Sequence, residues 1–187
     1  MQSPLKLLSV EEYLQRELKA QVRHEYVAGQ IYAMVGASQA HNIIAGNIFA
    51  LLRSHVRGSF CRAFISDMKV NIKANNNSSD LFYYPDVVVS YDPKDNNRYF
   101  LDSPSLICEV LSPSIQVTDK REKRLNYQTI DSLKEYVLIS QDEIKVEIYR
   151  KNDLGEWTIA TLRENDSLEL SSVGLNLTMA DIYEDAF

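Results

Sequence analysis

The run Leu106-Ile107-Cys108-Glu109-Val110-Leu111 narrows the options of this chain more than any other stretch. Its apolar side chains, bounded by Ser105 on one side and Ser112-Pro113-Ser114 on the other, read as a short buried strand. Glu109 stands in the middle of it. A carboxylate there is costly unless something cationic compensates its charge. Upstream, Tyr84-Pro85-Asp86-Val87-Val88-Val89 repeats the arrangement, with an acid at the entrance of an apolar strand. Downstream, the segment from Thr118 to Tyr127 reads as a polar helix start carrying Lys120, Arg121, Lys123 and Arg124. Two acids on two strands, followed by a lysine on a helix, point to a metal site.

The rest of the chain supplies a frame for these strands. Ser9 and Glu12 form a capping box that opens a helix running to about residue 22. Residues 24–34 alternate around Ala28-Gly29 as a hairpin. Residues 38–56 carry the strongest helical period, with Ile44, Ile48, Leu51, Leu52 and Val56 on one face. Residues 60–73 read as one long strand or a bent pair, 75–80 as a loop, 81–90 as the strand of Asp86, and 92–104 as a polar connector. Residues 119–130 suggest a helix with a second capping box, Asp119 to Glu122. A strand follows at 135–139, then an antiparallel pair at 144–150 and 157–162 around Asn152 to Gly155, and at most a helical turn at 179–183. No linker divides the 187 residues, so one domain over 1–187 is expected. The order of elements implies an α/β fold whose mixed sheet is covered on both faces in its middle, with both acids on neighbouring central strands.

Hard divalent cations take oxygen ligands, and Mg²⁺ is held by one or two carboxylates together with water and substrate phosphate. Asp86, Glu109 and the backbone carbonyl of Val110 form such a set, and Pro85 removes an N–H that a strand edge would leave unpaired. The plainer reading of each acid is a strand-end cap or a partner for a core Arg or Lys. Lys123 lies four residues after Asp119, the favourable order for a surface ion pair; the functional alternative is that it leans over the metal and orients the attacking water. Arg121 and Arg124 are phosphate contacts or solvated charge. Glu25 and His41 either stay at the surface or complete the site.

Other classes are disfavoured. The chain has no GxGxxG, P-loop, GxSxG or HExxH, and its three histidines are scattered, against a His-rich zinc site. Cys61 and Cys108 read as reduced core thiols. A net charge of −6 argues against nucleic-acid binding through overall charge but leaves room for a local basic groove. No apolar run approaches about 18 residues and no signal-peptide pattern opens the chain, so a cytoplasmic protein without a membrane span is expected.

Tyr84-Pro85-Asp86, Glu109-Val110-Leu111-Ser112-Pro113-Ser114, Asp119, Lys123 and Tyr127 together resemble the Uma-two family of endonucleases, within the restriction-endonuclease-like PD-(D/E)XK superfamily. The resemblance extends over nearly the whole chain, through Val10-Glu11-Glu12-Tyr13, His24 to Ile31, His41, Asp67 and Glu135-Tyr136-Val137. It implies an αβββαβ core with a central mixed sheet flanked by helices, plus an additional antiparallel hairpin. It also implies hydrolysis of DNA phosphodiester bonds with Mg²⁺ or Mn²⁺. Asp86 matches the first acid of the motif and Glu109 the second. Leu111 stands where the superfamily has lysine, and in this family the role passes to the following helix, here to Lys123. Glu25 matches an N-terminal acid that helps hold the metal. The competing expectation is a catalytically inactive nuclease-fold module that binds nucleic acid or forms a homodimer. It is motivated by the negative charge and by Leu111; the strands at 144–150 and 157–162 either pair across such a dimer or simply extend the sheet.

Overall fold

The computed structural model describes residues 7–73, 80–93, 95–112 and 119–187, with the backbone alone at 119 and 120. Two larger sheets organise it. The first has the order β2-β1-β5-β4-β7, built from His24–Val27 (β1), Gln30–Ala33 (β2), Lys69–Ile72 (β4), Leu81–Tyr83 (β5) and Phe100–Leu101 (β7). The second has the order β11-β10-β9-β8-β6-β3, built from Arg62–Ile65 (β3), Val87–Ser90 (β6), Leu106–Leu111 (β8), Glu135–Ser140 (β9), Val146–Lys151 (β10) and Trp157–Leu162 (β11). Both are mixed, because β8 runs parallel to β9 and β4 parallel to β7. A hairpin of Ser167–Leu170 (β12) and Leu175–Thr178 (β13) stands apart.

The apolar run at β8 is continuous because both faces of its sheet are covered. Leu106, Cys108 and Val110 pack with Val87, Val89, Val137 and Ile139 against Ile44, Ile48 and Leu52 of the long helix Gln39–His55 (α2). Ile107 and Leu111 point the other way, with Val88 and Leu138, toward Tyr127, Leu133 and Tyr136. Strand alternation therefore assigns Glu109 to the face of Ile107 and Leu111. β12 and β13 close the α2 side, contributing Leu168, Leu170 and Leu177 to that cluster.

Several expectations are corrected. The strand foreseen at 81–90 is two strands in two sheets, broken at Tyr84-Pro85-Asp86. Pro85 has no N–H to give to a ladder, and the N–H of Tyr84 goes to the Glu25 carboxylate at 3.3 Å, so pairing stops there. The stretch 60–73 is a pair of strands, as one of its two readings had it, but β3 and β4 lie in different sheets, either side of Ser66, which adopts a φ of 54°. The first helix, Val10–Glu17 (α1), has the expected capping box but ends five residues short of residue 22. Its last residue is needed elsewhere: Glu17 accepts from His24 N–H at 2.8 Å and from Tyr84 Oη at 2.9 Å, which turns the chain into β1. The expected helix at 119–130 is a π-helical turn, Asp119–Lys123, followed by a single α-turn, Arg124–Tyr127 (α3). Glu122 is exposed, and the Asp119 side chain of the second capping box lies outside the described residues, as do Pro113, Ser114, Thr118 and most of the loop expected at 75–80. β7 was read as connector, and the β12–β13 hairpin was not foreseen. The terminal turn is present as Met179–Tyr183 (α4), closed by a capping box between Thr178 and Asp181. Among the described residues no helix is long and apolar enough to cross a membrane.

Both cysteines are free thiols, Cys61 half-buried and Cys108 fully enclosed. Burial, reinforced by the nearby Glu135 and Glu109 carboxylates, pushes the Cys108 thiol well above its ordinary range, so it stays protonated and inert. Titration of the native protein with a thiol reagent at mildly alkaline pH is therefore expected to modify Cys61 alone, with Cys108 reacting only after denaturation; mass spectrometry of the adducts reads the outcome.

Candidate active site

The ladder between β6 and β8 pairs Val87 with Cys108 and Val88 with Ile107. Continued by one pair, the same register sets Asp86 opposite Glu109. Directly opposed antiparallel residues carry their Cβ atoms about 5 Å apart on one face. Both acids line a single cleft of about 760 Å³, together with Lys123 and Val110. Its other wall comes from the loop between β2 and α2 and from the first turn of α2, where His41 sits.

Each acid is held from behind. Asp86 Oδ2 accepts from the Val110 N–H at 2.7 Å and meets His41 Nε2 at 3.3 Å. Glu109, 4 % exposed, accepts from Tyr127 Oη at 3.3 Å. Burial raises the Tyr127 phenol far above its usual range, so it remains a neutral donor. Lys123 closes the third side. It ends the π-turn, and its Nζ lies 2.8 Å from Glu25 Oε1 with the two side chains 10 % and 15 % exposed. The amine also sits 5.4 Å from the centre of the Tyr83 ring. Burial moves the Tyr83 phenol up to about 12, and its oxygen accepts from Asn126 Nδ2 at 2.8 Å. Lys123 is thus a nearly buried cation that meets a carboxylate and an aromatic face; the Asp119 side chain, its other candidate partner, lies outside the described residues.

Of the residues singled out from sequence, the fold gathers Asp86, Glu109, Val110, Lys123 and His41 on the cleft, and Glu25 directly behind Lys123. The other two lie outside its lining: Arg121 is exposed on the π-turn, and Arg124 stacks over Tyr149 with its guanidinium carbon 5.1 Å from the ring centre. Sequence reading passed over Arg23, Ser66 and Tyr84, which also line the cleft. It also passed over Glu17, Lys69 and His24 beneath it: Lys69 Nζ donates to Tyr84 Oη at 3.2 Å, and His24 Nδ1 lies 3.2 Å from Glu17 Oε2. Burial lowers the pKa of Lys69, against the opposing pull of Glu17. Tyr84, two residues before Asp86, was the signal available for this layer.

Two other buried acids show what a structural carboxylate looks like in this fold. Asp95 accepts from the backbone N–H groups of Asp102 and Ser103, each at 2.9 Å. Glu135 accepts from Arg150 Nε at 3.2 Å and from the N–H groups of Ser171 and Ser172 at 3.1 and 2.9 Å. Neither lines the cleft. Among the described residues no group of three or more His, Cys, Asp or Glu side chains is placed to hold a metal ion. The cleft's donor set is instead a pair of hard carboxylates, which suits an octahedral cation that keeps most of its ligands as water or phosphate and does not suit a closed zinc site.

Comparison with known proteins bears on the family and the fold. The model of the family Uma2, described as "Putative restriction endonuclease", matches residues 10–180. Two uncharacterized proteins of Synechocystis sp. are close relatives in sequence. The chain is 38 % identical to slr1290 over 97 % of its own length and 94 % of the relative's, and 39 % identical to sll1609 over 89 % and 94 %. A crystal structure from Anabaena variabilis, titled a "putative nuclease belonging to DUF820", superposes with a TM-score of 0.75 at 19 % identity, covering 96 % of this chain and 99 % of that one. The fold is therefore that of a restriction-endonuclease-like α/β protein.

The Glu25–Lys123 pair makes its own prediction. Removing one partner strands a mostly desolvated charge, so Lys123→Met is expected to cost on the order of 3 kcal/mol of stability in urea unfolding. The double variant Glu25→Gln/Lys123→Met should lose clearly less than the sum of the single changes. Additive losses would mean that the two groups do not sense one another.

Proposed function

The chain belongs to the Uma2 family, and we propose that it is a metal-dependent endonuclease that hydrolyses DNA phosphodiester bonds. One observation carries the reading. Asp86 from a sheet-to-sheet crossover, Glu109 from the middle of β8 and Lys123 from a π-turn converge on one cleft, although 37 residues of chain, from 86 to 123, separate the first from the last. The residues fit Mg²⁺ or Mn²⁺: the carboxylates of Asp86 and Glu109, with the Val110 carbonyl, would hold the ion. When bound, such an ion lowers the pKa of a water and stabilises charge developing on the phosphate.

The protein's own groups do the rest by position. The Val110 N–H and His41 fix Asp86 Oδ2, so the carboxylate keeps its orientation whatever approaches the cleft. Tyr127 does the same for Glu109. Lys123 has three N–H donors. With Glu25 accepting from its Nζ, the amine is held facing the cleft, where a further N–H orients a water toward phosphorus and offsets charge on the phosphoryl oxygens. Glu25, behind the amine, acts as its positioning residue. Arg121, exposed beside this turn, is a second-line contact for the DNA backbone; Arg124 is engaged with Tyr149 and serves packing. A single nuclease-like domain over residues 1–187, working in the cytoplasm, accords with this reading. The inactive-module alternative rested on the negative net charge and on Leu111; a lysine on the cleft wall at 123 weighs against the second ground.

Plasmid nicking with Mg²⁺ or Mn²⁺ is the test. Asp86→Ala and Glu109→Gln are expected to lose activity by roughly 10³-fold or more, and Lys123→Ala by about 10²- to 10³-fold. Equal nicking by the wild type and Asp86→Ala would overturn the proposal.

A further inference from the structure

Arg23 lines the same cleft but belongs to none of the contacts that hold the two acids or the lysine. It stands at the entrance to β1, and its guanidinium is engaged through one nitrogen only. Nη1 donates to the Ser66 carbonyl at 2.6 Å and lies 3.1 Å from Asp67 Oδ1. The guanidinium carbon sits 5.8 Å from the centre of the Tyr84 ring. Among the described residues, Nε and Nη2 have no partner. With the side chain 41 % exposed at the cleft, the edge left open is the planar Nε–Nη2 fork, the edge of an arginine that matches two oxygens of a phosphate.

The anchoring is of a kind that fixes position more than it neutralises charge. Asp67 is 86 % exposed, so its ion pair with Arg23 is weak and leaves most of the positive charge in effect. The Ser66 carbonyl does the orienting. Ser66 is bound on both sides: its N–H donates to the Asp86 carbonyl at 2.9 Å while its own carbonyl receives Arg23. Its left-handed φ of 54° is a strained conformation for a serine. Arg23 is therefore held to the same backbone that carries the first acid. The first turn of α2, on the opposite wall of the cleft, adds no acidic side chain.

We propose that Arg23 is a phosphate clamp: its Nε–Nη2 edge grips a DNA backbone phosphate flanking the cleaved one and sets the register of the strand against Asp86. This rests on the nuclease reading and adds to it the residue that seats the substrate. An overall charge of −6 leaves the protein dependent on such local contacts for binding a polyanion.

The experiment measures fluorescence anisotropy of a short labelled DNA duplex in chelator, so that binding proceeds without cleavage, across a salt series. Arg23→Ala is expected to weaken binding about tenfold and to lower the slope of log K against log salt by about one. Arg23→Lys should restore the slope but only part of the affinity, because a point charge replaces the fork. Arg163→Ala, an exposed site outside the cleft, should change neither. Single methylphosphonate substitutions, which neutralise one phosphate at a time, add a readout that a merely structural role would not move. One position should weaken the wild type about tenfold and leave Arg23→Ala indifferent. If the wild type nicks and binds DNA while Arg23→Ala, folded by its unfolding midpoint, keeps the full salt slope and the full methylphosphonate pattern, the clamp is refuted and the nuclease reading stands. If the wild type neither binds nor nicks, both fall together.

Discussion

The carboxylate of Glu25 is the point on which the site depends. Its Oε1 accepts from the Tyr84 N–H, which takes that amide out of the β-ladder, and meets the amine of Lys123 at 2.8 Å. The first contact helps to end β5, so that after Pro85 the chain leaves the five-stranded sheet and enters the six-stranded one. The second draws a cation from beyond β8 into the wall of the cleft. Without that break, residues 81–90 would continue as one strand and Asp86 would lie inside a ladder, its neighbours committed to pairing. With it, Asp86 sits at a chain crossover, one register step past the last β6–β8 pair and opposite Glu109.

This arrangement also reconciles two demands that conflict in most buried strands. β8 must be apolar on both faces to sit between α2 and the tyrosine-rich layer of Tyr127 and Tyr136, yet it carries an ionisable side chain at its centre. The conflict is resolved by the end of the β6–β8 ladder at Val87 and Cys108, so that Glu109, still paired with β9, borders a cleft while Ile107 and Leu111 stay enclosed. The Tyr127 phenol beside it, moved upward by burial, supplies a neutral donor without adding negative charge. Asp95 and Glu135, by contrast, are satisfied by backbone N–H groups and hold loops in place.

Much of this was legible residue by residue. The acid within an apolar run at 106–111 pointed at once to a compensated site, and the capping box at Ser9 and the period of residues 38–56 located α1 and α2 within a residue or two at their starts. Of the pieces that carried the Uma2 resemblance, Tyr84, Asp86, Glu109, Val110, Ser112, His41 and Lys123 line the cleft. What stayed hidden had a common cause. A largely apolar run from Leu81 to Ser90 looks the same whether its residues pair in one sheet or two, and Arg23 acquires meaning only from Ser66, 43 residues away. Residues 119–123 have helical composition, but their wider π-turn sets where Lys123 ends up.

By itself, then, the amino-acid sequence determined where the two longest helices start, where most of the strands of the six-stranded sheet lie, and which acids are out of place in an apolar setting. Those are consequences of local period and of the cost of burying charge, both of which act over a few residues. Only the tertiary structure decided that Lys123 meets Glu25 from a distant strand, that Asp86 stands at a passage between sheets, and that Arg23 joins them. Each of those outcomes is set by contacts between segments far apart in the chain, where the backbone N–H that one strand gives up becomes the group that positions another segment's side chain.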